Sequence, residues 1–289
     1  MSAFHRLCGK ETSLEKKLLA MDLDGTILDS DGVLHEESMR ALNMLRAHGH
    51  VVSYATGRRE YDMVNFQYLY DCTDYVILNT GSIIEHRPSK ERFYEKFVDP
   101  QTTRRLINVC NANGWQLYVV IAEGFCLNIM TDGVEEYIGR TGVEPIMYRT
   151  ADDLPLDRIE GFMTARDSDE ILAYIRENDL PLDHFNSEPG CFDLTPRGIS
   201  KWNGICILAD HLNIPIEDIV TMGNWLNDME MVKGAGIGIA VADAAQELKD
   251  AADYVTQRDH DHDPLLDVCR DIFNLNAEQK VAGDKHDQV

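Results

Sequence analysis

Residues 18–30, Leu-Leu-Ala-Met-Asp-Leu-Asp-Gly-Thr-Ile-Leu-Asp-Ser, constrain this chain more than any other stretch. A short apolar run from Leu18 to Met21 ends at two carboxylates one residue apart, Asp22 and Asp24, and at the turn pair Gly25 and Thr26. An apolar run of that length, bounded by turn residues, reads as a buried strand. Its end delivers two acids to the carboxyl edge of a sheet, which is where open α/β proteins bind ligands.

The neighbouring segments supply a parallel sheet. A helix is predicted over 36–48, with Met39, Leu42 and Leu45 on one face and Gly49 closing it. A strand over 51–55 runs into Thr56-Gly57-Arg58, and a helix over 60–70 and a strand over 75–79 follow. This βαβαβ order, with strands that are apolar runs rather than alternations, belongs to a parallel sheet buried on both faces. The pattern changes after Gly81, where a hairpin starts. Asp99-Pro100 opens a helix that stops at Gly114, and strands are predicted over 116–122, 125–130 and 161–165. A helix over 168–178 and a hairpin of 184–188 with 191–195, turning at Pro189-Gly190, complete an α+β unit. From Pro196 the first pattern returns: a helix capped by Ser200, strands over 219–222, 237–241 and 254–256, a short helix from Asn227, and helices over 244–252 and 264–273. The expected fold is a doubly wound parallel (Rossmann-like) α/β core, residues 1–83 and 195–289, interrupted by a second, α+β unit, residues 84–194.

Two such units need a sizeable core, and 289 residues that are 44% hydrophobic provide it without covalent staples. A net charge of −23 argues against nucleic acid and anionic membrane as partners. It leaves room for a phosphorylated substrate, which a metal ion and a few placed cations can hold locally. The seven cysteines, Cys8, Cys72, Cys110, Cys126, Cys191, Cys206 and Cys269, contain no Cys-x-x-Cys pair and sit mostly in apolar runs. They point to a reducing, cytoplasmic setting with neither a disulfide framework nor a zinc site. No apolar stretch approaches the roughly 20 residues of a membrane span. Residues 1–17 carry no signal-peptide pattern, and the polar tail 276–289 is expected to fray.

A carboxylate such as Asp22 can attack phosphorus and form an aspartyl-phosphate. It must approach a phosphate dianion, so it needs a counter-charge, and a bridging magnesium ion supplies one. Asp24, close by but out of reach of phosphorus, can protonate the leaving oxygen and later deprotonate the attacking water. The two like charges also push their pKa values apart. Alone, the five-residue match is equally a solvated strand-end turn, so the case depends on three other segments. Thr56 ends the second strand, where its hydroxyl can donate to a phosphoryl oxygen. Arg58 reads first as an exposed arginine after a turn, with reach to the same phosphate. Lys201 lies in the first turn of a helix, against the helix dipole, which favours a functional reason for its charge. In Gly223-Asn224-Trp225-Leu226-Asn227-Asp228, Asp228 offers a hard oxygen for a metal and Asn227 an amide donor. Two other features read as structural. Asp259-His260-Asp261-His262-Asp263 is a solvated loop before it is a metal-binding string, and Trp115, Tyr118 and Phe125 are core before they are a substrate platform.

Asp-Leu-Asp-Gly-Thr at 22–26, Ala-Thr-Gly-Arg at 55–58, Lys201, and Gly-Asn-x-x-Asn-Asp at 223–228 resemble, in order and separation, the four motifs of the haloacid dehalogenase superfamily of phosphohydrolases. The long insert resembles the cap of the Cof-type subfamily. Ile-Gly-Ile-Ala-Val at 237–241 and Ala-Ala-Asp-Tyr-Val-Thr at 251–256 are also Cof-like, so the resemblance covers about residues 18–273. It implies that Asp22 is the nucleophile and a metal ligand. Asp24 is then the general acid/base and ligates the metal through its backbone carbonyl. Thr56, with Gly57 and Arg58, and Lys201 bind the phosphoryl group, and Asn227 contacts substrate or orients the site. Asp228 lies at the metal or just behind its ligands. One position departs from the family pattern: where an Asp usually ligates magnesium directly, this chain has Asn224, a neutral and weaker oxygen. Either Asn224 ligates with lower affinity, or Asp228 moves in, or the metal site is degraded.

The resemblance thus implies a Mg2+-dependent phosphatase, cytoplasmic, a monomer or homodimer. Its substrate would be a small phosphorylated metabolite: a sugar phosphate, or a phosphorylated cofactor such as a flavin or pyridoxal phosphate. The alternatives are a phosphomutase of the same fold and a non-catalytic phosphometabolite-binding protein with a weakened metal site. Residues 79–81 and 195–198, where the chain passes between core and cap, are the expected hinges.

Overall fold

The computed structural model describes residues 16–188 and 190–275. Cys8, the remainder of 1–15, Pro189 of the expected hairpin turn and the tail 276–289 lie outside the described residues.

In chain order the strands are β1 (Leu18–Met21), β2 (Val51–Ala55), β3 (Tyr75–Leu78), β4 (Ile83–His86), β5 (Glu91–Glu95), β6 (Tyr118–Ile121), β7 (Gly124–Leu127), β8 (Ile146–Met147), β9 (Gly161–Thr164), β10 (Leu182–Glu188), β11 (Cys191–Pro196), β12 (Ile219–Gly223), β13 (Ile237–Ala240) and β14 (Tyr254–Val255). The α-helices are α1 (Glu36–Ala47), α2 (Pro100–Asn113), α3 (Asp132–Thr141), α4 (Ser168–Glu177), α5 (Lys201–Leu212), α6 (Met229–Gly234), α7 (Gln246–Ala251) and α8 (Leu265–Asp271). They pack into two compact units. The first comprises the described parts of Met1–Tyr54, Tyr68–Val76 and Cys206–Val289; the second comprises Ala55–Gln67 and Ile77–Ile205.

The first unit is built on parallel strands in the order β14-β13-β12-β1-β2, with the start of β3 beyond β2. All four residues of β1 are wholly buried, which is why its sequence is an uninterrupted apolar run. Met21 pairs with Met222 on one side and Tyr54 on the other, so β1, β2 and β12 reach one edge together. α1 buries Leu42 and Leu45 completely, leaves Met39 half-buried and packs against α8. The chain leaves α1 through Gly49, whose φ of +86° is open to a residue without a Cβ. This is a Rossmann-like parallel α/β fold.

The second unit holds the end of β3, the antiparallel pair β4–β5, and a six-stranded sheet in the order β10-β11-β9-β6-β7-β8. β6 alternates. Val119 and Ile121 join a core with Leu106, Ile107 and Cys110 of α2 and Ile171 and Ile175 of α4. Tyr118, on the opposite face, joins Phe125, Leu127 and Val134 of α3. Tyr118 and Phe125 are therefore core, and Trp115 packs against the larger cluster. α2 has the boundaries its sequence predicts: the Asp99 side chain accepts from Thr102 N at 2.9 Å, Pro100 opens the helix, and Gly114 closes it with φ +69°.

Three segments differ from the sequence reading. The helix expected over 60–70 is instead a series of 3-10 turns, Tyr61–Cys72, broken at Phe66 (φ −114°, ψ 24°). Its aromatic residues, with Val64 and Asn65, are weak helix formers, and Tyr54 Oη claims the carbonyl of Leu69 at 3.1 Å. α3 and β8 were not expected, whereas β5 is the second arm of the hairpin expected after Gly81. Gly133, Gly139 and Gly142 dilute the helical signal of α3, and β8, two residues long, is too short to show an alternation. Among the described residues, no helix is long and apolar enough to cross a membrane.

Candidate active site

Asp22 extends the β1–β12 ladder by one residue, its N–H donating to Met222 O at 3.0 Å. It is 5% exposed, and its Oδ2 accepts the hydroxyl of the wholly buried Thr26 at 3.1 Å. The chain then folds back tightly: Leu23 O accepts from the N–H groups of Thr26, Ile27 and Leu28 at 3.2, 3.1 and 3.0 Å. Gly25 makes that turn possible with φ +66°, and a Cβ there would overlap the Asn224 side-chain amide. Asp24, on the outside of the turn, is exposed.

The partner strand β12 ends at Gly223. Asp228 is completely buried, and its Oδ2 accepts from Asn224 N at 2.9 Å and Trp225 N at 3.3 Å. A Cβ on Gly223 would collide with that carboxylate. Asp228 therefore buckles the 224–228 turn and holds the Asn224 amide over Gly25. Asn227 is half-buried in the same turn. The first unit thus gathers Asp22, Asp24, Asn224, Asn227 and Asp228.

Thr56, Gly57, Arg58 and Lys201 belong to the second unit. Thr56 is 1% exposed; its N–H donates to Ile77 O at 2.9 Å, and its hydroxyl accepts from Arg58 N at 3.0 Å. Its carbonyl accepts from Thr80 N at 3.0 Å, and Arg58 O accepts from Asn79 N at 2.9 Å. Asn79, Thr80 and Gly81 have φ of +47°, +58° and +113°. A β-branched residue at positive φ is a genuine outlier, and such strain persists where its surroundings enforce it. Gly81 is required for a second reason, since a Cβ there would overlap Ser200 O. The 79–81 turn therefore bridges the Thr56 loop and the start of α5, where Ser200 Oγ accepts from Asn203 N at 3.1 Å. Lys201 follows and is 1% exposed, an unusual burial for an ammonium group. Arg58 is not the exposed side chain expected: it is half-buried, its guanidinium 3.9 Å from the centre of the Phe66 ring.

The 259–263 string is not a free loop. His260 binds the Asp243 carboxylate, and His262 that of Asp259. Asp261 accepts from Ser30 N at 2.7 Å and Ser30 Oγ at 3.0 Å, and Asp263 accepts from Ser38 Oγ at 2.9 Å. His35 bridges Asp29, at 2.8 Å, and Asp263, at 3.5 Å; the bond to Asp29 holds its pKa above the usual histidine value. The string thus pins residues 29–38, downstream of Asp24. Its partners are remote in sequence, which hid them.

The carboxylates of Asp22 and Asp228, the Asp24 carbonyl and the Asn224 amide are all hard oxygens, a donor set that suits a divalent cation such as magnesium. Among the described residues no group of three or more His, Cys, Asp or Glu side chains is arranged to hold a metal ion, and Asn224 stands where a third carboxylate would add one. Sequence reasoning took Asn79 and Thr80 only as part of a hinge, and it missed Arg59 and Asp193. The Asn-Thr-Gly turn signal could have flagged the first two; nothing local marked the others.

A parallel α/β sheet with a buried carboxylate at the end of its central strand defines a class, and comparison with known proteins narrows it. Residues 19–268 match the haloacid dehalogenase-like hydrolases, and the chain belongs to that family. It is 26% identical over 281 residues to the phosphatase YwpJ of Bacillus subtilis (strain 168), covering 85% of this chain and 96% of that protein. It is 22% identical over 275 residues to the 5-amino-6-(5-phospho-D-ribitylamino)uracil phosphatase YitU of the same organism, covering 89% and 98%. Among solved structures, the haloalkanoate-superfamily phosphatase BT1666 from Bacteroides thetaiotaomicron superposes with a TM-score of 0.80 at 23% identity, covering 91% of this chain and 97% of that one.

Proposed function

We propose that this chain, a phosphoric monoester hydrolase of the family, hydrolyses a small phosphorylated metabolite through an aspartyl-phosphate on Asp22. The supporting observation is the buried Asp22 at the carboxyl end of β1, bonded to Thr26, with the Asn224–Asp228 turn folded against its loop.

In this reading an Asp22 oxygen bonds to phosphorus as the bond to the leaving oxygen breaks, and Asp24 gives that oxygen a proton. Asp24 then takes a proton from water, which attacks phosphorus, releases phosphate and restores Asp22. Thr56, Gly57 and Arg58 donate to the phosphoryl oxygens, Lys201 neutralises their charge and Asn227 orients the site. Asp22, the Asp24 carbonyl and Asn224 hold Mg2+, with Asp228 fixing the Asn224 turn behind them. The ion, when bound, supplies the counter-charge that lets a carboxylate approach a phosphate dianion.

Residues 84–194 act as the cap that selects the leaving group. A sugar phosphate or a phosphorylated cofactor is the substrate class. Among the relatives, YitU is named for a phosphorylated ribityl compound, and a structural neighbour is described as a sugar phosphatase. The buried thiols of Cys72, Cys110, Cys126 and Cys269, none in a disulfide, favour a cytoplasmic setting.

The test is phosphate release from p-nitrophenyl phosphate and a panel of phosphorylated metabolites, with and without magnesium. No release at saturating magnesium, restored by Asn224→Asp, would mean a binding protein rather than an enzyme. Isomerised hexose monophosphate without free phosphate would mean a mutase.

A further inference from the structure

The loop after β2 runs from Thr56-Gly57-Arg58 directly into Arg59, Glu60 and Tyr61. Arg59 is 7% exposed, a position a guanidinium holds only with carboxylate partners. Its Nη2 donates to Asp193 Oδ1 at 2.8 Å. Asp62 Oδ2 accepts from Arg59 N at 3.1 Å and lies 3.5 Å from Nη1. The other oxygen of Asp193 lies 3.8 Å from the place a Cβ on Gly57 would occupy.

Asp193 stands on β11, inside the six-stranded sheet. It pairs with Phe185 of β10 and Met163 of β9; Met163 pairs with Tyr118 of β6, and Tyr118 with Leu127 of β7. Directly paired residues share a face, so Phe185, Asp193, Met163, Tyr118 and Leu127 form one row across it. Arg59 docks on that row through Asp193, and Tyr61 packs on the cluster built around Tyr118, Phe125, Leu127 and Val134. Residues 59–61 are thus clamped to the sheet at two points, immediately downstream of the Thr56 turn.

We propose that Arg59 and Asp193 are positioning residues: the six-stranded sheet, through this buried ion pair, sets the conformation of the loop that presents Thr56 to the phosphoryl group. The proposal rests on the reading of Thr56 given above. The sheet that selects the leaving group and the loop that grips the phosphate then form one body, so substrate fit on the sheet is transmitted to the phosphoryl position. Removing the Asp193 charge takes the close carboxylate from a buried guanidinium and leaves Asp62 at 3.5 Å to draw it away from the sheet, whereas replacing both Arg59 and Asp193 with apolar side chains of similar volume is tolerated. Misplacement of a reacting group by about 1 Å costs roughly a hundredfold in rate.

The experiment uses the full chain. Asp193→Asn is expected to lower kcat on p-nitrophenyl phosphate by roughly a hundredfold, with KM changed by no more than about twofold. Hydrogen exchange should accelerate at amides 57–62 while the β1 amides keep wild-type protection. The double variant R59M/D193L should recover kcat to within about tenfold of wild type and restore protection of 57–62. A purely structural role would lower the melting temperature and accelerate exchange throughout the molecule, without the local pattern or the kcat effect; that result overturns the proposal. So does an Asp193→Asn variant with wild-type kinetics and exchange. If the wild-type protein releases no phosphate, the proposed function fails, and the exchange pattern still decides whether Asp193 positions the loop.

Discussion

Two carboxylates in this molecule are removed from water in opposite ways. Asp228, wholly buried beside β12, receives two backbone N–H groups from its own turn on Oδ2. Glu160, 1% exposed just before β9, has no hydrogen-bond partner on Oε2, and burial pushes its pKa up to about 7. Arg92 and Arg59 pull that value down, while Glu60 and Glu95 push it up. Burial alone therefore does not mark a catalytic group. At the end of β1 and β12, each buried acid is met by donors that the local turn supplies, which is the signature of a preorganised site. At Glu160 the backbone is held, its carbonyl accepting from Asn79 Nδ2 at 3.0 Å, but Oε2 of the side chain is left without a donor.

Substitutions on each side should break that contrast differently. Asp22→Asn keeps the size and hydrogen-bonding capacity of the side chain but removes the nucleophile, so phosphate release should fall by roughly a thousandfold or more. A variant that retains a tenth of wild-type activity would remove Asp22 from that role.

On the other side, Glu160→Gln should change stability and its pH dependence. A carboxyl whose folded pKa is raised contributes its full stability below its ordinary pKa of 4.5 and loses it as pH rises through about 7. The wild type should therefore lose on the order of 3 kcal/mol relative to Glu160→Gln between pH 4.5 and pH 7 or just above. Urea unfolding at pH 5 and pH 8 measures this; parallel losses in the two proteins would show that Glu160 does not titrate there.

The smallest effect sharpens the site side. Asn224→Asp adds the missing carboxylate and should lower the magnesium concentration for half-maximal activity by about tenfold. An unchanged or higher requirement would place Asn224 outside the metal's coordination.

Much of this was legible in the sequence, for physical reasons. β1 announced itself because a strand buried on both faces must be apolar and must stop at the turn that carries its acids. The ends of α2 were written in Asp99-Pro100 and Gly114. The expectation of a haloacid dehalogenase-like hydrolase, drawn from four motifs, holds. What was hidden depended on distant partners. Arg59 gives no local hint that Asp193 will neutralise it, and the string from Asp259 to Asp263 reads as solvent-exposed until Ser30, Ser38 and Asp243 come into place. Glu160, in a polar stretch before an apolar strand, carries no mark of its burial. The turns over 61–72 were misread because length and apolar content suggested a helix that the aromatic side chains do not favour.

The division of labour between Asp22 and Asp24 is the centre of the account, and Asp24→Asn tests it most directly. p-Nitrophenolate leaves without needing a proton, so the first step should survive in this variant, while the water attack that needs a base should stall. Rapid mixing with p-nitrophenyl phosphate and magnesium should give a burst of about one p-nitrophenolate per protein, followed by little turnover. Mass spectrometry of the quenched protein should find the phosphoryl group on Asp22. Steady turnover at the wild-type rate, or a phosphoryl group on any other residue, would contradict the account.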